Sequence, residues 1–173
     1  EIDNNIKKLK NFSFTCLIVN DASTIHQPKI NKPKNLEKLK ILNMKYNKGH
    51  ARCNAFGIRY VCENEDFDYL ILMDGDGEDR PIEIKSLINK LIAEPDYSIV
   101  AKRIKRSEGL FFQLLYKFHK ILTFLFTGEI INFGNYSCLT KKDVKILSTK
   151  PSLWSSFSGT LKKNVIKLNE VDS

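Results

Sequence analysis

The apolar residues of this chain form two alternating patterns. Short continuous runs have the length of buried strands, and between them apolar residues recur every three or four positions, as on one face of a helix. Strands are predicted over residues 12–19, 39–44, 69–73, 97–101 and 136–139, with a β-prone tail at 164–168. Helices are predicted over residues 1–10, after Gly49, from Pro81 and over 141–147. This alternation predicts an α/β fold with a parallel sheet.

Two of these helices have a well-defined apolar face. The helix after Gly49 places on one side Ala51, Ala55, Ile58 and Cys62. The helix from Pro81 does the same with Ile84, Leu87, Ile88 and Leu91. An apolar stripe of this width predicts a helix that packs against a sheet with its other side in solvent.

The most informative stretch is the apolar run at residues 69–73, which ends directly in Asp74-Gly75-Asp76. Ligands of open α/β sheets bind outside the carboxyl ends of the strands. If the backbone stays extended for two more residues, Asp74 and Asp76 point to the same side. Two carboxylates there predict a site for Mg²⁺ or Mn²⁺, with phosphate as a further ligand.

Three other interpretations of this acidic loop compete with a metal site that binds phosphate. An Asp-Gly pair is common in surface turns. An EF-hand requires Gly and Glu at its sixth and twelfth positions, which here hold Asp79 and Lys85, so it is excluded. A phosphatase with an Asp-x-Asp nucleophile normally has Thr or Val where this chain has Glu78, and no matching downstream acidic motif is present.

Length and charge narrow the choice of partners. The 173 residues suit a single domain, and a formal net charge of +8 favours an anionic partner. No signal peptide is visible, and no run approaches the roughly 18 apolar residues that span a bilayer. The cysteines form no Cys-x-x-Cys pair, which predicts free thiols in a reducing compartment for Cys16, Cys53, Cys62 and Cys138.

Basic residues concentrate at two places. Lys48, His50 and Arg52 open the helix after Gly49, where free backbone N–H groups favour anions, although such residues are more often simply solvated. The second place is the segment 102–106, followed by the unusually apolar stretch 109–126. That stretch suits either a buried helix or one lying in a membrane interface, and its wide apolar surface favours the membrane. A non-catalytic membrane-surface or nucleic-acid-binding module is a further alternative, but the acidic loop would obstruct it.

The motifs at the ends of the predicted strands resemble those of the family 2 glycosyltransferases of the GT-A fold. The resemblance is greatest to their polyprenyl-phosphate members, such as dolichyl-phosphate mannose synthase and its bacterial relatives. The family's Val-Asp-Asp-Gly-Ser appears at residues 19–23 with Asn20 and Ala22 substituted. Its Asn-x-Gly element matches loosely at residues 47–57. Its Asp-Ala-Asp-Leu-Gln-Asp-Pro-Pro motif matches from Asp74, with the spacing kept through Asp79 and Pro81. The resemblance covers nearly the whole chain.

The resemblance implies a mostly parallel sheet with helices on both faces, apparently lacking the first strand, and a single domain over residues 1–173 truncated at both ends. It implies transfer of a sugar, with inversion, from a nucleotide-sugar donor to a polyprenyl phosphate, assisted by Mg²⁺ or Mn²⁺. The expected location is the cytoplasmic face of a membrane, with any transmembrane segments beyond residue 173. No nucleic-acid partner is expected.

The resemblance also assigns roles to individual residues. Asp74 and Asp76 are expected to hold the metal, and Asp76 and Arg103 to act in catalysis. The nucleotide sugar is expected to contact Asp21, Lys48, Arg52, Asp74 and Asp76. The acceptor or membrane side is expected to involve Lys102, Arg106 and Asn135. Many relatives place an aspartate where this chain has Asn135, which a phosphate acceptor tolerates because it is already an anion.

Overall fold

The computed structural model describes residues 1–9, 11–24, 31–102 and 131–172. The strands in these ranges are β1 (Thr15–Asn20), β2 (Lys38–Asn43), β3 (Tyr69–Leu72), β4 (Ser98–Lys102), β5 (Phe133–Thr140) and β6 (Leu168–Asp172). The helices are α1 (Ile2–Ile6), α2 (His50–Asn64), α3 (Ile84–Ala93), α4 (Lys141–Ser148) and α5 (Phe157–Asn164), with 3-10 turns at Pro81–Glu83 and Pro151–Trp154. Arg103, Arg106 and the stretch 109–126 lie outside the described residues.

The five predicted strands and the helices after Gly49 and Pro81 are confirmed, but the prediction for the tail is wrong. The last described strand covers Leu168–Asp172, and α5 occupies Phe157–Asn164 just before it. The hydroxyl oxygen of Ser156 caps α5 by accepting the Gly159 N–H at 3.1 Å. This helix is only eight residues long and contains a glycine, so its helical pattern is weak in the sequence.

The expectation of one mostly parallel sheet is also wrong. Within the described residues, β1 and β2 form a parallel pair, and a separate four-stranded sheet has the order β3-β5-β4-β6. In that sheet β5 runs antiparallel to both neighbours, whereas β4 and β6 are parallel. A strand-helix-strand alternation predicts only that β3 and β4 run the same way. It does not predict that a later, reversed strand lies between them.

Helix α2 connects the two sheets. Ala55 and Ile58 of α2 belong to the cluster that Leu70 and Leu72 of β3 pack against. On the side of β1, a Cβ added to Gly57 would lie 3.0 Å from Val19 Cγ2. A side chain at position 57 would require Val19 to shift by a few tenths of an ångström, so glycine suits this close approach of α2 to β1.

The four-stranded sheet separates two apolar cores, which confirms helices on both faces. Alternate residues of a strand face opposite sides. On one side Val100 and Leu139 pack in a cluster with α2, α4 and α5 residues. On the other side Ile99 and Cys138 pack with α1 and α3. The predicted apolar face of α3 is buried at Ile84, Leu87, Ile88 and Leu91. All four cysteines are free.

Candidate active site

The first part of the site is the loop after β1, which is tied to the start of α2. The half-buried Asp21 accepts the backbone N–H of Lys48 and of Gly49, each at 2.8 Å. The first N–H groups of a helix have no partner within it, and a carboxylate there also interacts favourably with the helix dipole. Asp21 thus holds the segment that leads into α2.

Asn20, which replaces an aspartate of the resembling family, has a structural role in this loop. Its side-chain oxygen accepts the Ser23 N–H at 3.2 Å, and its amide nitrogen donates to Asn43 Oδ1 at 2.9 Å. An ionised aspartate could make the first of these bonds but not the second, because it has no donor. Position 20 therefore helps to fasten the end of β1 to the end of β2.

Asp74 is the centre of the second part of the site. His50 Nε2 lies 2.8 Å from Asp74 Oδ1, and Asn135 Nδ2 donates to Asp74 Oδ2 at 3.1 Å and to Oδ1 at 3.3 Å. The side chain of Asp74 is only 15% exposed, whereas that of His50 is 60% exposed. The carboxylate is therefore largely enclosed, and the imidazole is the partner that solvent or a ligand can reach.

The approach of Asn135 to Asp74 follows from strand register. β3 and β5 are antiparallel and pair Leu72 with Ser137, so two residues further on Asp74 comes opposite Asn135. Residues 135, 137 and 139 share a face of β5, and Leu139 on that face packs in the cluster with α2. Asn135 therefore lies on the side of the sheet from which His50 approaches.

Two hydrogen bonds hold the backbone of the acidic loop in place. The Asp74 N–H donates to Asp79 Oδ2 at 2.8 Å, and Asp79 is only 7% exposed. Tyr136 Oη donates to the Arg80 carbonyl at 3.0 Å. Burial, with the nearby carboxylates of Glu83 and Asp79, raises the pKa of Tyr136, so this phenol stays a donor.

Asp76 does not meet the condition under which the two carboxylates would point to one side. β3 ends at Leu72, and Gly75 and Asp76 already lie in a turn, which continues into Gly77 with a φ of +89°. Asp76 Oδ1 instead accepts the Glu78 N–H at 2.9 Å. The carboxylates of Asp74 and Asp76 are hard oxygen donors, the type of ligand that Mg²⁺ and Mn²⁺ prefer. Since the described residues contain no group of three ligand side chains ready to hold a metal, a diphosphate would have to complete such a site.

The predicted basic residues are distributed unevenly. Lys48 and Arg52 are exposed at the start of α2, and the Lys48 ammonium lies 5.9 Å from the centre of the exposed Tyr46 ring. Lys102 is at the end of β4, where its Nζ is 3.4 Å from Glu170 Oε2. The described structure thus brings together Asp21, Lys48, Asp74 and Asn135, through the start of α2, and leaves Lys102 in a separate ion pair.

From the sequence, His50 was expected only as one of three basic residues at a helix start, and Asn54 was not expected in the site at all. Asn54 Nδ2 lies 3.1 Å from His50 Nε2, one helical turn away. The spacing of four residues was visible in the sequence. It became informative only once the contact between His50 and Asp74 had placed the start of α2 at the end of β3.

The architecture defines the general class of this protein: an α/β enzyme whose ligand site collects carboxylates and a helix start at the ends of strands. The chain matches Glycosyl transferase family 2 over residues 1–163 and belongs to that family. It is therefore a glycosyltransferase, which transfers a sugar from a nucleotide-sugar donor, and the phosphatase and non-catalytic interpretations are set aside. A search of curated proteins found no match. Among the described residues, no helix is long and apolar enough to cross a membrane.

Proposed function

We propose that this enzyme transfers its sugar, with inversion, to a polyprenyl phosphate at the cytoplasmic face of a membrane. In this proposal residues 1–173 form one catalytic domain of GT-A fold. The observation that carries the proposal is the amide of Asn135, whose nitrogen lies 3.1 Å from Asp74 Oδ2. Members of the resembling family often have an aspartate at this position.

An amide cannot take a proton from an attacking hydroxyl group at neutral pH. A sugar-hydroxyl acceptor normally needs such a base, whereas the oxygen of a phosphate is already anionic and can attack directly. The imidazole of His50 also lies here, but its Nε2 is already engaged by that carboxylate at 2.8 Å. The composition of this corner therefore favours an acceptor that attacks without a general base.

On the donor side, we assign Asp74 and Asp76 to a Mg²⁺ or Mn²⁺ ion that contacts the diphosphate. When bound, this ion would offset the negative charge that develops on the departing β-phosphate. Asp76 thereby takes part in catalysis. Asp21 keeps oxygen lone pairs for the base or ribose, since each carboxylate oxygen has two. Lys48 and Arg52 are exposed where they can meet the phosphates.

On the acceptor side, we assign the lipid phosphate and the anionic headgroups to Lys102, Arg103 and Arg106. Basic residues near an anionic membrane surface contribute about 1 kcal/mol each. We also assign to Arg103 the stabilisation of the charge on the leaving group. The apolar stretch 109–126 supplies the membrane-contacting segment.

The membrane assignment can be tested by flotation with anionic liposomes, with which we expect the wild-type protein to float. We expect Phe111→Asp/Phe118→Asp to float far less than a control with Ile82→Asp, which changes an exposed isoleucine elsewhere. Equal flotation of both variants would contradict the membrane assignment.

The proposed acceptor can be tested with a matched pair of lipids. A panel of radiolabelled nucleotide sugars with Mn²⁺ would be offered a short polyprenyl phosphate, the corresponding polyprenol and simple sugars. We expect label in the polyprenyl phosphate and at least about a hundredfold less in the polyprenol, because only the phosphate can attack without a base. The product's anomeric configuration, read by NMR, should be the inverse of the donor's. Transfer to polyprenol or to a sugar hydroxyl at a similar rate would refute the proposed acceptor.

A further inference from the structure

The contact between His50 and Asp74 joins two atoms that both carry lone pairs. Nε2 of His50 is 2.8 Å from Oδ1 of Asp74. An ionised carboxylate only accepts, and a ring nitrogen without a proton also only accepts. An electropositive atom must therefore lie between them, which is either a proton on the imidazole or a cation bound by both groups.

The separation of these two atoms suits one shared cation. An ion with ligand bonds of about 2.1 Å places neighbouring octahedral ligands about 3 Å apart. The two groups sit on separate elements, α2 and the loop after β3, and each is held independently. Asp79 bonds the backbone of Asp74 at 2.8 Å, and Asp21 bonds the segment before His50 at the same distance.

We propose that His50 is a direct ligand of the divalent cation, together with Asp74, and that it biases the site towards Mn²⁺ and away from Mg²⁺. This inference rests on the metal site of the proposed function and deepens it. Mg²⁺ strongly prefers oxygen ligands, whereas Mn²⁺ lies closer to the transition metals that imidazole binds well. The 60% exposure of the His50 side chain leaves its ring open to the cation and the diphosphate.

A diphosphate without nitrogen provides the sharpest probe. The Mn²⁺–pyrophosphate complex would be bound to the protein and examined by pulsed electron paramagnetic resonance, which detects ¹⁴N atoms coordinated to Mn²⁺. Since pyrophosphate contains no nitrogen, any strong ¹⁴N modulation must come from the protein. Affinities for the Mn²⁺ and Mg²⁺ complexes would be measured by calorimetry on wild type, His50→Asn, Asp74→Asn and the controls His26→Asn and His119→Asn.

We expect the imidazole ¹⁴N signal in wild type and in both histidine controls, and its loss in His50→Asn. The affinity for Mn²⁺–pyrophosphate should fall at least about tenfold in His50→Asn, since even outer-shell partners of a metal ligand are worth 10–100-fold. The affinity for Mg²⁺–pyrophosphate should change less than about threefold, because the nitrogen ligand matters less to Mg²⁺. Circular dichroism would verify that the variants are folded.

The inference is overturned if wild type lacks the nitrogen signal, or if His50→Asn binds the Mn²⁺ complex as tightly as wild type. The same variants distinguish a failure of the His50 assignment from a failure of the metal site. If Asp74→Asn loses the Mn²⁺ complex but His50→Asn does not, the metal site of the proposed function stands and the role of His50 falls. If Asp74→Asn binds it unchanged, the metal site itself is refuted.

Discussion

Two strand ends in this enzyme carry an aspartate beside the start of α2, and they use it differently. At the end of β1, both oxygens of Asp21 accept backbone N–H groups, from Lys48 and Gly49. At the end of β3, the carboxylate of Asp74 contacts the side chains of His50 and Asn135. Both residues are acidic, close to a helix start and in a motif of the same family.

The difference lies in how easily each set of partners can move. A backbone N–H cannot leave Asp21 without displacing the segment that begins α2, so this contact mainly holds the fold together. Side chains can change rotamer and exchange partners at little cost, so Asp74 can accept a ligand in their place. Although they are similar in charge and position, Asp21 therefore mainly stabilises the fold, whereas Asp74 can exchange its partners for a ligand.

The largest expected effect comes from Asp74→Asn. We expect loss of metal-dependent nucleotide-diphosphate binding and a fall in transfer rate of about 10²–10³-fold, comparable to removing one preorganised stabilising group. The unfolding free energy should change little, because an amide can still contact Asn135 and His50. Transfer assays and urea unfolding would be compared with Asp96→Asn, which alters an exposed carboxylate paired with Lys167. Full activity in Asp74→Asn would show that Asp74 has no catalytic role and would contradict the proposed difference between Asp74 and Asp21.

Asp21→Ala should have the opposite profile, with stability as its main effect. The change removes the acceptor of the Lys48 N–H and leaves the Gly49 N–H with Asn47 Oδ1 at 3.1 Å, so we expect a cost of about 1 kcal/mol, typical of a lost cap at a helix N-terminus. Asp21→Asn keeps one acceptor oxygen and should lie between the two. Urea unfolding of the three proteins would give this order. If Asp21→Ala is as stable as wild type and only binds nucleotide poorly, the structural role of Asp21 is refuted and its contact with the nucleotide remains.

Tyr136→Phe would weaken the support beneath Asp74 by removing the bond to the Arg80 carbonyl. We expect a loss of about 1 kcal/mol in unfolding free energy, typical of one hydrogen bond. The loss should shrink at high pH. Since burial raises the pKa of Tyr136, the folded chain keeps a phenol proton that the unfolded chain releases above the ordinary value of 10.0. The contribution is thus complete below that pH and declines above it. A difference in unfolding free energy between wild type and Tyr136→Phe that is constant from neutral pH to pH 11 would contradict this.

Much of this structure could be predicted from local patterns, because short apolar runs and helical spacing report burial directly. The positions of β1 to β5 and the buried face of α3 followed in this way. The placement of Asn135 opposite Asp74 could not, because it depends on β5 running in reverse between β3 and β4. That order reflects the pairing of β5 with two strands far from it in the sequence, which no local pattern encodes.

The site was predictable where chemistry sits on one stretch of chain and unpredictable where two stretches meet. The Asp74 and Asp76 motif was visible as carboxylates after an apolar run. Its geometry was not, because the expected extension past Asp74 is broken by the turn at Gly75 and Asp76. His50 was treated as one of three basic residues at a helix start. Its role emerges from a contact between residues twenty-four positions apart.

The smallest expected effect concerns the backbone conformation of the two loops that follow β1 and β3. Ala22, directly after Asp21, has a φ of +55°, the left-handed region that costs a residue with a Cβ about 1–2 kcal/mol. Gly77, in the acidic loop, has a φ of +89° and already avoids this cost. We expect Ala22→Gly to stabilise the fold by about 0.5 kcal/mol, after subtracting the greater entropy that glycine gives the unfolded chain.

Gly77→Ala is the matched reverse change. A Cβ at position 77 would meet no atom within 4 Å, so its cost is conformational and should be about 1 kcal/mol. Urea unfolding of both variants should therefore give opposite signs. Nucleotide binding should stay unchanged in Ala22→Gly, because the Asp21 contacts to the backbone of Lys48 and Gly49 do not involve the Ala22 side chain. If Ala22→Gly destabilises the protein, the β1 corner is not strained, and the left-handed conformation at position 22 is refuted.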